Sequence, residues 1–196
     1  ATPGLRETVI LSRIVKLCDQ YDQVIVDMPA SGHAVSLLGV PGVALNLMRA
    51  GPIREQAELI RRRLAREDTA LIIVALPEEM VVNETVELWG RLHKEVPQLR
   101  LPLVVLNRSA VPSLSAAERT LLDRLEATDH AARDRGEGGA VVETSEVDEL
   151  LRAGSWEAGL EAATSEALER LHRELDVNVV NFARLGALGG FEGGPD

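Results

Sequence analysis

The prediction of the fold starts from residues 21–38, YDQVIVDMPASGHAVSLL. An apolar run, residues 24–26, ends on the carboxylate of Asp27, and a turn containing Gly32 leads through His33 into a helical pattern. A strand, an acidic residue, a glycine-containing loop and a helix are typical of an α/β sheet, where ligands bind at the carboxyl ends of the strands. An aspartate there can hold a metal-bound water, and a glycine amide can approach a phosphate closely. The alternative is a buried strand that merely ends on an aspartate.

The composition limits the classes of protein that fit. The chain has 196 residues, of which 45% are hydrophobic and 27% charged, as expected of one domain with a sizeable core. Its net charge of −10 argues against non-specific nucleic-acid binding. The single cysteine, Cys18, excludes a disulfide framework within one chain and favours a reducing, cytoplasmic setting. The chain begins on Ala1, which is compatible with a piece of a longer protein.

The rest of the chain alternates helical and strand patterns. Apolar periodicity predicts helices at residues 5–20, 36–50 with a break near Pro41, 53–67, 84–94, 115 onward, and 147–175 with interruptions at Gly154 and Gly159. Continuous apolar runs at 71–76 and 101–106 are expected of central parallel strands covered by helices on both faces, and 177–180 reads as a late strand. We therefore predict an α/β fold with a doubly wound, mostly parallel sheet and flanking helices.

The predicted domain spans residues 1–182 and includes a mainly helical segment at 113–175. Within that segment, residues 133–139, RDRGEGG, form a charged loop that we expect to be mobile. A glycine-rich tail, residues 183–196, is expected to be flexible.

The opening stretch resembles the switch II signature D-x-A-P-x-G-H-x of the ArsA-type ATPases. This branch of the P-loop NTPases includes the arsenite-pump and tail-anchored-protein-targeting ATPases and is related to MinD. Asp27, Pro29, Gly32 and His33 stand at the family spacing, once D-M-P-A is allowed in place of D-T-A-P. The exchange is a departure from the family and changes the path expected of the loop.

Two later segments extend the resemblance. Residues 74–87, VALPEEMVVNETVE, resemble the family run V-x-x-P-E-x-M-x-x-x-E-T-E-R, and they depart from it at positions 86 and 87. The matching positions are Pro77, Glu78, Met80, Glu84 and Thr85. Residues 104–108, VVLNR, resemble the ending V-V-N-[RQ] of the next strand. The likeness extends from residue 4 to about residue 182, although residues 109–174 match in pattern only.

The resemblance implies an ATP site that uses Mg²⁺. Asp27 would orient a water bound to the metal, Gly32 would sense the γ-phosphate, and His33 would help the switch to move. The alternative for His33 is a structural role in the loop.

The resemblance also implies nucleotide contacts at the ends of the next two strands. Glu78 would touch nucleotide at a dimer interface, Asn107 would read adenine, and Arg108 follows it in the same motif. An amide suits adenine, because its oxygen accepts from N6 while its nitrogen donates to a ring nitrogen. The alternatives are a helix-terminal acid for Glu78 and a turn residue for Asn107.

The phosphate-binding part of such an ATPase is missing from the sequence. A Walker A loop needs a lysine after glycine, but the two lysines, Lys16 and Lys94, follow a valine and a histidine. The chain therefore resembles the carboxyl-terminal half of an ArsA-type ATPase, and we expect it to be inactive alone.

The resemblance also bears on binding partners and on the metal-binding features of particular family members. The family implies a homodimer or a heterodimer with a related ATPase subunit, and a client protein or membrane component of unknown identity. One cysteine excludes a metalloid cluster and a C-x-x-C zinc site, and three methionines do not indicate a methionine-rich client groove. A structural or regulatory partner without a P-loop is the alternative. A MinD/ParA-like positioning ATPase is a third possibility, against which the tail, neither basic nor amphipathic, argues.

Overall fold

The computed structural model describes residues 4–134 and 146–184, which form six helices and three strands. The elements are α1 Leu5–Cys18, α2 Ser31–Leu47, α3 Pro52–Leu64, β1 Ile73–Ala75, α4 Glu79–Glu95, β2 Leu103–Ser109, α5 Ala116–Asp134, α6 Glu146–Glu174 and β3 Asn178–Ala183. Most of the loop predicted at 133–139 and almost all of the tail predicted at 183–196 lie outside the described residues.

The three strands form one parallel sheet in the order β1-β2-β3. Helix α4 connects β1 to β2, and α5 with α6 connects β2 to β3. This confirms the predicted α/β class, the parallel pairing and the flanking helices. The late strand is also confirmed, since β3 covers its apolar residues.

One face of the sheet is buried and the other is open. The alternate residues of β1 and β2 that are buried pack against helices α2, α4 and α6; they are Ile73, Ala75, Val104 and Leu106. The intervening residues form a row across the sheet, Val74–Val105–Val180, in which Val74 is 60% and Val180 42% exposed. The expectation that both faces are covered is therefore wrong for the described residues. Connections between parallel strands are almost always right-handed. When two of them advance across a sheet in the same direction, as in the order β1-β2-β3, their helices lie on the same face. This explains why the other face is open.

The opening stretch does not form the predicted strand. Residues 23–30 have no strand pairing among the described residues, and Ile25 is 86% exposed. Only Met28 of this segment packs against the core. An extended segment becomes a strand when a neighbour accepts its backbone hydrogen bonds, and none of the described strands lies beside it. Helix α2 then begins at Ser31, earlier than predicted.

Three predicted helix breaks, in two helices, are absent. Helix α2 continues through Pro41, which is fully buried, because a proline removes only one helical hydrogen bond and the surrounding packing compensates for it. Helix α6 continues through Gly154 and Gly159. At Gly154 an added Cβ would lie 3.0 Å from Leu122 Cδ2 of α5, so this glycine permits two helices to approach closely rather than ending one.

Candidate functional site

The carboxyl edge of the sheet brings two predicted nucleotide contacts to neighbouring strands. Glu78 follows β1 and is the residue that precedes the first turn of α4. Asn107 belongs to β2, one residue beyond the pairing of Ala75 with Leu106. The two strands are parallel and adjacent, so both residues lie at the same edge, where ligands bind in open α/β sheets.

The local geometry bears on the alternatives for both residues. Glu78 is exposed, and its side chain makes no capping hydrogen bond to α4. The Oδ1 of Asn107 accepts a hydrogen bond of 2.9 Å from the Arg108 amide, as in a turn, while the side chain stays partly exposed. An amide oxygen has two lone pairs, so this bond leaves capacity for another donor. Arg108 has φ of 57°, the left-handed conformation, and is exposed.

The three predicted switch residues lie around the start of α2. Asp27, Gly32 and His33 are all exposed, and the side chains of Asp27 and His33 make no hydrogen bond or ion pair within the described part of the chain. Gly32 and His33 lie in the first turn of the helix rather than in the predicted loop. The first amides of a helix have no partner within it and attract anions.

A hollow of about 140 Å³ separates this helix start from α4. Its walls include Gly32 and, from α4, Glu84, Glu87 and Arg91. A Cβ added at Gly32 would meet nothing within 4 Å, so no neighbouring side chain in the structure requires a glycine. Gly32 and Glu84 therefore line the same hollow. In the sequence, Glu84 was one of the positions that match the second motif, and no role was predicted for it.

The candidate metal ligands in the described residues are isolated side chains and do not form a cluster. The described residues contain no group of three His, Cys, Asp or Glu side chains that could hold an ion. Mg²⁺ usually keeps several waters and binds through one or two carboxylates plus substrate phosphates. One exposed carboxylate, Asp27, fits that mode of binding, in which protein contact passes through water.

A buried acid on α6 was missed by the sequence reading. Glu161 is 4% exposed and accepts hydrogen bonds from the amides of Ser113 and Leu114, at 2.5 and 3.2 Å. One turn later Thr164 Oγ1 accepts from the amide of Ala110 at 3.0 Å. These residues hold the segment between β2 and α5, residues 110–114, which we name the base-side segment.

The charge of Glu161 is balanced within the same contact. Burial raises the pKa of a carboxyl, but the hydrogen bonds from Ser113 and Leu114 and the charge of Arg119 lower the pKa of Glu161 overall. Arg119 Nη2 lies 2.6 Å from its Oε2. The signal available in the sequence was a carboxylate on the buried stripe of α6 that also contains Thr164, Ala167 and Leu171.

A groove of about 530 Å³ lies among helices α1, α2 and α3. Its larger apolar side chains are Leu5, Val40, Val43, Leu47, Met48 and Ile53. One methionine, Met48, lines it together with two leucines, two valines and an isoleucine. Leu47 is 72% and Val43 58% exposed there. No helix in residues 4–134 and 146–184 has the length and apolar character needed to cross a membrane.

The chain is similar to mycobacterial proteins that are named as ATPases. Over 117 residues it is 32% identical to ATPase BagA of Mycobacterium tuberculosis (strain ATCC 25618 / H37Rv) and to Mb3704 of Mycobacterium bovis, which is also named as an ATPase. Each match covers 55% of this chain and 33% of the relative, so the chain spans about a third of the length of these relatives. No protein-family model matches it. The similarity supports an ATPase-related function.

Proposed function

We propose that this chain is the carboxyl-terminal part of an ArsA-type ATPase and supplies the switch and the base-reading end of an ATP–Mg²⁺ site. The observation that carries the proposal is the placement of Glu78 and Asn107 at the carboxyl ends of adjacent parallel strands. Relatives that are named as ATPases support it, and the match covers a third of their length.

The chain's own residues divide the work at that site. The exposed carboxylate of Asp27 would hold Mg²⁺ through water, and the first amides of α2, with Gly32 among them, would bind phosphate oxygens. Asn107 offers a donor and an acceptor to the edge of adenine. When bound, Mg²⁺ neutralises phosphate charge. The P-loop that holds the β- and γ-phosphates comes from another part of the protein or from a related subunit.

The base assignment is tested by replacing Asn107 with leucine, which keeps the size and removes both hydrogen-bonding groups. We expect ATP binding to weaken by roughly 1–3 kcal/mol relative to GTP, with little change in melting temperature. The matched control is Asn178→Leu, because Asn178 is an exposed asparagine at the far end of neighbouring β3. An unchanged ATP-to-GTP ratio with a clear fall in melting temperature would make Asn107 a turn residue.

The hydrolytic part of the proposal has its own test. The chain alone, with Mg²⁺ and ATP, should release phosphate at the rate of a blank without protein, because the sequence contains no glycine–lysine pair of a P-loop. Release above the blank that disappears in Asp27→Asn would contradict this expectation.

The groove among α1, α2 and α3 suggests what the switch controls. Helix α2 carries Gly32 at its start and Val43 and Leu47 along the groove, so one helix joins the phosphate end to an apolar surface. We propose that the groove accepts an apolar helical segment of a client. Leu47→Glu should abolish binding of an apolar helical peptide, whereas Leu59→Glu, at an exposed leucine of α3 that does not line the groove, should not. Equal binding by both variants would remove the groove from the proposal.

The second candidate function is a structural or regulatory partner of a complete, cytoplasmic ATPase subunit. The open row Val74–Val105–Val180 and the unpaired edge of β1 favour it, because exposed apolar faces and strand edges mark association surfaces. We expect light scattering to show concentration-dependent association, as a homodimer or with a related subunit, that Val74→Glu weakens. A monomer at every concentration would argue against this candidate.

A further inference from the structure

We propose that the exposed face of helix α1 docks on the surface of a membrane that carries anionic lipid headgroups. The inference concerns the first helix of the chain, Leu5–Cys18, and it does not depend on the ATP site. The partner is a lipid surface rather than a single bound molecule, because apolar and cationic side chains are combined along the length of this helix.

The exposed residues of α1 form one side of the helix. Its inner side is buried against α2 and α3 through Leu11 and Val15. The exposed residues lie on the outer side, because 3.6 residues make one turn; they are Leu5, Arg6, Val9, Ile10, Arg13 and Lys16. Three of them are apolar and three are basic, and none is a carboxylate. We name these residues the α1 face.

The cations of the α1 face are available to an anionic partner. Within residues 4–134 and 146–184, no ion pair or side-chain hydrogen bond involves Arg6, Arg13 or Lys16. The chain as a whole has a net charge of −10, so this face reverses the prevailing sign. On α4, by contrast, one exposed lysine stands among exposed carboxylates at Glu79, Glu84, Glu87 and Glu95. Anionic lipid repels such acidic surfaces, so the chain would approach a membrane with α1 foremost.

The apolar residues of the α1 face continue into the groove among α1, α2 and α3. Val9 is 61%, Leu5 49% and Ile10 41% exposed. Leu5 also lines the groove, and the exposed apolar residues at the end of α2 are followed by a further exposed cation, Arg49. Single exposed apolar residues are ordinary, but a contiguous apolar surface marks an interaction site. The surface therefore offers side chains that can insert and cations that can bind headgroups at the same place.

The arrangement of the side chains favours lipid over a protein partner. The core of a protein interface is depleted in charge and has a polar rim, whereas here the cations lie between the apolar residues. Mobile headgroups can place a phosphate beside each cation while the apolar side chains enter the boundary with the acyl chains. The aliphatic stems of arginine and lysine can lie along apolar surface with their charged ends in water.

The test measures binding of the whole 196-residue chain to lipid vesicles by flotation. One set of vesicles contains phosphatidylcholine alone, and the other contains equal parts of phosphatidylcholine and phosphatidylglycerol. We expect binding to the anionic vesicles only. Raising the ionic strength from about 0.1 M to about 1 M shortens the Debye length from about 10 Å to about 3 Å and should weaken this binding.

The charge of the α1 face is tested by combining Arg6→Gln with Arg13→Gln. Each cation close to an anionic membrane changes binding by about fivefold, so the double variant should bind about twenty-fivefold more weakly. The matched control combines Arg152→Gln with Arg173→Gln, which removes two charges from exposed positions of α6 and should change binding little. Helix α6 packs against α4, α5 and the sheet.

The apolar part of the α1 face is tested at unchanged charge. Val9→Ser with Ile10→Ser should weaken binding by about tenfold or more, because two apolar side chains no longer insert. The control is Leu121→Ser with Leu125→Ser, at exposed leucines of α5, and should bind as wild type does. Melting temperatures should change little in all these variants, because every replaced side chain is exposed.

Several outcomes would overturn the inference. Absence of binding to the anionic vesicles is one, and an equal loss in the α1 and α6 charge variants is another, since total charge would then explain the binding. Weaker binding of the α1 charge variant without any effect of the serine pair would indicate a diffuse attraction rather than docking. A chain that binds neither vesicle but associates with itself through the same residues would assign the α1 face to a second copy.

Discussion

The two segments proposed to meet at one ATP site are built in opposite ways. The base-side segment is tied to α6 by three amide hydrogen bonds and by a buried acid, Glu161. Residues 23–30, the switch segment, have no strand partner among the described residues; Met28 packs against the core, but Ile25 is 86% exposed. The chain's own contacts thus preorganise residues 110–114, whereas few contacts within the described residues fix the path of residues 23–30.

The largest effect is expected where the anchored segment loses its acid. Glu161→Ala leaves the amides of Ser113 and Leu114 without their acceptor and Arg119 without its ion-pair partner, which should lower the free energy of unfolding by about 3 kcal/mol. Urea denaturation measures it, with Glu169→Ala as the exposed control on the same helix. If Glu161→Ala lowers the free energy of unfolding no more than Glu169→Ala does, Glu161 does not anchor residues 110–114, and the two segments do not differ in this respect.

The next effect concerns the packing of α6 itself. Gly154→Ala places a methyl group against Leu122, and overpacking of this kind should cost about 1–2 kcal/mol. Gly159→Ala is the matched variant on the same helix, where an added Cβ meets nothing within 4 Å. It should stabilise the chain by up to ~1 kcal/mol through helix propensity. Thermal unfolding of the pair reports the difference, and equal melting temperatures would show that α5 does not restrict α6 there.

A third, smaller effect depends on pH. Because the pKa of folded Glu161 lies below its ordinary value of 4.5, its charge stabilises the fold above that value. At neutral pH wild type should exceed Glu161→Gln by about 1 kcal/mol, the difference between charged and neutral hydrogen bonds. This lead should shrink as the pH falls below 4.5 and through the lower folded pKa. A lead that is constant between pH 7 and pH 3 would show that the charge of Glu161 is not involved.

The smallest effect belongs to the switch segment. Ile25→Ala should change the free energy of unfolding by less than about 0.5 kcal/mol, because the side chain is 86% exposed. Met28→Ala in the same segment is the contrasting variant and should cost more, since Met28 packs against the core. A large loss in Ile25→Ala would mean that the segment is packed in solution, against another copy or another part of the protein.

The sequence predicted those elements whose pattern is local. Helix α1, the proline in the first turn of α3, and the capping pair Ser115 and Glu118 follow from spacing and side-chain chemistry alone. The strand predicted before Asp27 does not form, because a strand depends on a neighbour that periodicity does not reveal. The open face of the sheet was not predicted for a related reason. Apolar runs show that the side chains of a strand favour burial, but they do not show which helices cover each face of the sheet.

The candidate site divides in the same manner. Asn107 and Glu78 were expected at the sheet edge because both follow apolar runs, and their role in binding nucleotide stays a prediction. The structure places Glu78 after β1 and Asn107 within β2, two residues before its end. Glu161 lies about fifty residues further along the chain and was not singled out, because its partners are backbone amides that carry no sequence signature. The groove was not predicted because a methionine-rich composition was the signal considered, whereas its apolar lining includes two leucines and two valines.

Pro41 gives helix α2 a mechanical property that neither of its ends has. Proline has no N–H, so the carbonyl one turn earlier, on Leu37, receives no helical hydrogen bond, and helices bend at such points. The defect separates the turn that carries Gly32 from the turns that carry Val43 and Leu47. Helix α2 is therefore kept continuous by the packing around buried Pro41, but its weakest point lies between Gly32 and the groove, and we expect a movement of its first turns to appear there as a change of bend angle.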